Sequence, residues 1–139
     1  MFSNKSHRLT LGILALSFGL VLSGCQPCPS EQTQLEVRSM RLDLTTHERA
    51  LDEILNTDDP AIVKENLLVL ERNYENRIAD SVPACAEPAR TALLQTLEVG
   101  IRIAELKLQN TSEDEIQAAI QEMEASREIF DAEYDELKD

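Results

Sequence analysis

The chain has 139 residues, of which 26 are acidic and 13 basic, for a net charge of −13. That length supports one core and one domain, and so large a surplus of acids excludes nucleic acid as a partner. With two Tyr, three Phe and no Trp, the interior must be filled by Leu, Ile, Val, Ala and Met.

The amino-terminal stretch carries Lys5 and Arg8 and then an apolar run from Leu9 to Leu22, broken only by Thr10, Gly12, Ser17 and Gly19. Basic start, apolar run and small residues, in that order, read as a secretory signal too short to span a bilayer comfortably. The residues that end it, Leu22-Ser23-Gly24-Cys25, resemble the lipobox of bacterial lipoproteins. The resemblance implies that the thiol of Cys25 is diacylated, that residues 1–24 are removed and that the new amino terminus often receives a third acyl chain. It further implies attachment to a membrane of the cell envelope. Gln26 stands where an Asp would retain the protein in the inner membrane, so outer-membrane delivery, facing the periplasm, is expected in a host with two membranes. The mature chain would have 115 residues and 11 bases against 26 acids, or −15. Residues 25–29 form a tether reaching at most about 17 Å. Cys25 and Cys28 make a C-x-x-C pair, but an acylated sulfur cannot join a dithiol, and Pro29 in place of His excludes haem attachment.

From residue 30 onward the prolines fall between apolar-periodic segments and Gly100 is the only glycine. This is the punctuation of long helices. A first helix is expected over 30–55, with Ser30 as N-cap and Val37, Met40, Leu44, His47, Leu51 and Ile54 forming its seam. Asp59 and Pro60 suit the N-cap and first position of a second helix over 60–80. Its expected inner face is Val63, Leu67, Leu70, Tyr74, Ile78 and Val82. A third helix over 87–109 carries two apolar stripes, one through Leu93, Leu97, Ile101, Ala104 and Leu108, the other through Ala92, Val99, Ile103 and Leu106. Gly100 within it costs about 1 kcal/mol relative to Ala, which either close approach of another helix or simple tolerance would explain. Ser112 and Glu115 fit a capping box opening the fourth helix, 113–137. Ile116, Ile120, Met123, Arg127, Phe130, Tyr134 and Leu137 form its seam, and the acids in its last turn oppose the helix dipole, so the tail after Tyr134 is expected to fray.

The expected fold is therefore all-α, an antiparallel up-down-up-down four-helix bundle over 30–139. In that topology Cys28 and Cys85 precede helices that start at the same end, and an oxidising envelope would permit a disulfide between them. No Glu-x-x-His pair, nucleophile elbow or phosphate-binding loop is present. No catalytic residue, metal ligand or cofactor is assigned. His47 and Arg127 are expected to be buried or half-buried and paired with carboxylates. Residues 112–139 hold eleven of the acids against Arg127 and Lys138. A solvated face is the plain reading of that run; the sharper one is a docking surface for an envelope protein through Glu113, Glu124, Asp131 and Asp135, and divalent-cation binding by the same helix is the alternative. The murein lipoprotein of enteric bacteria is also lipid-anchored, helical and poor in aromatics. Its wall-linking C-terminal Lys has no counterpart here, because Lys138 is followed by Asp139. The reading is a lipid-anchored binding or scaffold module without catalysis, its oligomeric state open.

Overall fold

The computed structural model describes residues 30–138. Cys25, Cys28 and the leader lie outside the described residues. Within them the chain forms four helices and no strand: α1 (Ser30–Leu55), α2 (Pro60–Ala79), α3 (Glu87–Leu108) and α4 (Glu113–Leu137), with a 3-10 turn, Ala84–Ala86, ahead of α3. They assemble as a helical bundle in which α1 packs on α2, α3 and α4, α2 on α3, and α3 on α4.

Each connection has a local cause. Asp59 accepts the amide of Ala61 at 2.8 Å and stands before Pro60, whose missing N–H is not needed in a first turn. At the end of α3, Asn110 takes a left-handed φ of 51°. The Thr111 amide then reaches back to Leu106 O and that of Asn110 to Lys107 O, a Schellman closure with Asn in the place usually held by Gly. The two bases of α3 nearest its ends serve other helices. Lys107 donates to the Leu55 carbonyl at 2.9 Å and Arg90 to the Ile78 carbonyl at 2.9 Å, capping the C-termini of α1 and α2. Cations belong there, because the last carbonyls of a helix lack partners and carry its negative dipole end.

One expected cap is not formed. Ser112 does not accept a backbone amide with its side chain; its hydroxyl instead donates to Glu115 at 3.4 Å, so the capping box stays open. The helix starts regardless, because Glu113, Asp114 and Glu115 favour the positive end of the dipole. At its other end α4 holds to Leu137, where Gln34 donates to the Leu137 carbonyl.

The expected seam of α1 is buried in full, with Val37, Met40, Leu44, His47, Leu51 and Ile54 each 3% exposed or less. Helix α3 buries Leu93, Leu97 and Ala104 of one stripe and Ala92, Val99 and Ile103 of the other, while Ile101, Leu106 and Leu108 are half-buried. Helix α2 is turned away from its expected face. Val63 and Leu70 are buried, but Asn73 and Arg77 complete the line, whereas Tyr74 and Val82 are half-buried and Ile78 is exposed. Apolar residues surround this helix on every side, so polar contacts to α1 decide its rotation. In α4, Ile116, Phe130 and Tyr134 are buried as expected. The line between them passes through Ala119 and Ser126, which leaves Arg127 outside.

Side-chain contacts join the helices. Asn66, Asn73 and Arg77 of α2 meet Glu53, Asp43 and Ser39 of α1. Gln34, Arg41 and Glu48 of α1 meet Leu137, Asp131 and Arg127 of α4. Thr96 and Arg102 of α3 meet Ser126 and Glu122 of α4.

The apolar interior divides in two. One cluster joins Val37, Met40 and Leu44 to Ala86, Leu93, Leu97 and Phe130. The other joins Leu51 and Ile54 to Val63, Leu70, Ile103 and Ile116. On α1 His47 stands between them in sequence, and on α3 Gly100 lies next to Val99 of the second cluster. A Cβ at Gly100 would lie 1.9 Å from His47 Nε2, so the glycine is required by the close approach of α1.

Gly100→Ala should lower stability by about 1–3 kcal/mol, because overpacking outweighs the roughly 1 kcal/mol gained in helix propensity. Urea denaturation measures this, and His47→Ala in the same chain should recover part of the loss. A Gly100→Ala chain as stable as the parent would contradict the close approach.

Candidate functional site

Polar side chains inside a helical core are where chemistry or specificity would sit. The largest is Arg77, 1% exposed. Its Nε donates to Asp43 Oδ2 at 2.8 Å and its Nη2 to Ser39 Oγ at 2.7 Å, with a second, closer bond to Asp43. Glu36 lies 3.6 Å and Asp80 3.7 Å from Nη1. Asn73 adds a bond to the Asp43 carbonyl at 2.8 Å. A guanidinium can satisfy this many acceptors in one plane where an ammonium could not. The group therefore fixes the rotation and register of α2 on α1, a role attested for buried polar contacts elsewhere. Sequence reading passed over Arg77 because it sits one position before the apolar Ile78, which periodicity favoured. The available signal was on the partner helix. Glu36, Ser39 and Asp43 recur at steps of three and four beside the α1 seam, an acidic edge that needs a cation opposite it.

His47 is fully buried, as expected, but it has no carboxylate partner. Asp43, one turn earlier, is committed to Arg77, and neither ring nitrogen of His47 is hydrogen-bonded among the described residues. Burial alone lowers its pKa from 6.5 to about 4, since removing an imidazolium from water penalises the charged form. The ring is therefore neutral at pH 7. It has no acceptor to polarise it and no nucleophile within hydrogen-bonding reach, so it serves as a filler of the notch at Gly100. Thr96 and Ser126 make another buried polar pair, 3.0 Å apart, and the Ser126 hydroxyl donates to the Met123 carbonyl. Those hydroxyls are spent on packing α3 to α4.

The fourth helix differs from expectation at two positions. Arg127 is not buried; its side chain is 47% exposed and reaches Glu48 at 3.0 Å and Asp131 at 3.8 Å. Asp131, expected in water with Glu113, Glu124 and Asp135, is half-buried and bonded to Arg41 at 2.7 Å. Arg41 stacks over Tyr134, 4.4 Å from the ring centroid. Partial burial opposes the charge on Arg41, yet Asp131 and Tyr134 together raise its pKa above the ordinary value. Glu113, Glu124 and Asp135 are exposed, and Asp135 pairs with Lys138 at 3.4 Å. Among the described residues, no three His, Cys, Asp or Glu side chains converge as a metal site would require. Cys85 is half-buried in the 3-10 turn, against the first core cluster through its neighbour Ala86. No helix among the described residues is long and apolar enough to cross a membrane.

Comparison of the chain with protein-family models, with curated proteins and with solved structures finds no match in any of the three.

His47 gives the bundle a sign-definite response to acid. Its folded pKa of about 4 lies below the unfolded 6.5, so the unfolded state binds the extra proton as pH falls. Stability from this residue is complete above pH 6.5, declines on acidification and levels off below pH 4. Between pH 6.5 and 5, above most carboxylate titration, the loss should be about 1.5 kcal/mol. Urea midpoints across that interval should slope in the parent and flatten in His47→Leu; equal slopes would show that the ring is not held neutral.

Proposed function

We propose that this protein is a lipid-anchored, non-catalytic binding or scaffold module of the bacterial envelope, built as an up-down-up-down four-helix bundle. The observation that carries the anchor is the stretch Leu22-Ser23-Gly24-Cys25 at the end of a short apolar run behind Lys5 and Arg8. Acylation at Cys25 and removal of residues 1–24 follow from it, and Gln26 favours the periplasmic face of an outer membrane. Support for the topology comes from the opposed contacts between α1 and α2, α1 and α4, and α3 and α4. Support for a binding role comes from the way the buried polar groups are used. Arg77, Asp43, Thr96 and Ser126 join helices to each other, and His47 fills the space between two. What remains for an outside partner is the charged exterior, most of all the exposed acids Glu113, Glu124 and Asp135 of α4.

A Cys28–Cys85 disulfide belongs to the same proposal. Cys85 stands in the turn that packs beside the first half of α1, since Ala86 shares a cluster with Val37 and Met40. Cys28 lies two residues before α1 in sequence. Closing a loop of nearly sixty residues would add about 4 kcal/mol by restricting the unfolded chain.

Cys25→Ser should leave the protein unprocessed or soluble instead of membrane-bound, read by fractionation and by the mass of the amino-terminal peptide. Mature protein on the membrane without acyl mass at Cys25 would refute the anchor. Peptide mapping of envelope-purified protein without reductant should recover the peptides of Cys28 and Cys85 as one linked species; recovery of both as free thiols would remove the bridge.

A further inference from the structure

Eleven basic side chains lie among the described residues, and seven have a partner. Arg41, Arg77, Arg90, Arg102, Arg127 and Lys138 are in ion pairs, and Lys107 holds the Leu55 carbonyl. The remaining four, Arg38, Arg49, Lys64 and Arg72, have no ion pair or hydrogen bond among the described residues, and all four are exposed on α1 and α2. In so acidic a chain, unpaired cations gathered on one pair of helices call for an explanation.

Three of them frame exposed apolar side chains. Leu35, Arg38, Leu42, Thr46 and Arg49 succeed one another at steps of three and four, a single stripe along the outside of α1. Leu35 is 68% and Leu42 66% exposed. Val69 and Arg72 of α2 flank the stripe, because Asn73 beside them is turned onto Asp43 of α1. The opposite side of the bundle, made by α3 and α4, has the reverse character. Ile129 is 54% exposed beside a shallow groove whose walls include Pro88, Thr91 and Gln95. Glu133 and Glu136 stand at helical steps of four and seven from Ile129.

We propose that the α1–α2 face docks on the α3–α4 face of a second copy of this chain, side by side and standing the same way up. Charge complementarity chooses this occupant, and the heights of the residues agree with it. Inside one chain, Gln34 is level with Leu137, Arg41 with Asp131 and Glu48 with Arg127. Two copies set side by side without inversion therefore bring Leu42 level with Ile129 and Arg38 with Glu133. The repulsion between two acidic chains is screened beyond about 8 Å at physiological salt, whereas these contacts lie well within that distance. The two faces are different surfaces, so the association is head-to-tail and extends into rows. This deepens the binding-module reading, naming the partner. Anchors at one end of every copy would hold all of them upright.

The test uses the full chain in its own membranes, with the photocrosslinking residue benzoylphenylalanine replacing Leu42. The expected adduct has twice the mass of one chain, and the linked peptide contains Ile129. Arg38→Glu should cut its yield about tenfold, as like charges across an interface do, and Glu133→Arg in the same chain should restore it. Arg38 is exposed and unpartnered, so an unchanged thermal unfolding curve separates lost docking from lost folding. Absence of a dimer adduct, linkage of Leu42 to the α1 of the other copy, or indifference to Arg38→Glu overturns the proposal. Capture of a different protein overturns it too but leaves the binding-module reading standing; no captured chain of any kind counts against both.

Discussion

The distance between α1 and α3 is set by one contact, the ring of His47 against the bare Cα of Gly100. The other two helices are seated on α1 and α3 by polar contacts of their own. Helix α2 takes its rotation from the polar edge of α1, and α4 is seated through Thr96 of α3 and Arg41 of α1. An imidazole is a costly choice for such a position. Two ring nitrogens without partners forfeit about 1–3 kcal/mol each relative to water. What the ring supplies in return is shape, a flat body that fills the notch at Gly100. The apolar clusters on either side, each fully buried, offset that loss.

Helix boundaries and the α1 seam were legible in the sequence because several signals agreed there. Proline, Asx caps and a 3-4 apolar rhythm all pointed the same way. Legibility failed where apolar residues exceed what one face can bury. Helix α2 holds Ile62, Leu68, Val69 and Ile78 outside while taking Arg77 in, and apolar periodicity cannot weigh a charge that has three side chains of another helix waiting for it. Arg127 failed for the converse reason. It sat on a heptad in sequence, but Ser126 next to it could bond Thr96, and a small hydroxyl lets α3 and α4 approach more closely than a guanidinium would. The Gly100 question was posed by sequence and answered only by geometry, because the residue that needs the space is 53 positions away.

The charge distribution follows from the same economy of partners. Acids on the inner edges of α1 and α4 are used between helices, as Asp43 and Asp131 are. Isolated exposed pairs such as Lys138 with Asp135 contribute little, about 0–1 kcal/mol. The surplus of acids on α4 and the unpaired bases on α1 and α2 are thus not required by the fold. Surface composition here is free to answer to what lies outside the molecule.

Helix α3 closes two helices that precede it, through Arg90 at the Ile78 carbonyl and Lys107 at the Leu55 carbonyl. During synthesis α1 and α2 emerge first, with the last turns of both open to water and their dipole ends uncompensated. Helix α2 is not complete until Arg90 exists, and α1 not until Lys107 does. The first half of this chain is consequently not an autonomous hairpin, and its assembly waits on the third helix as a latch waits on its bolt.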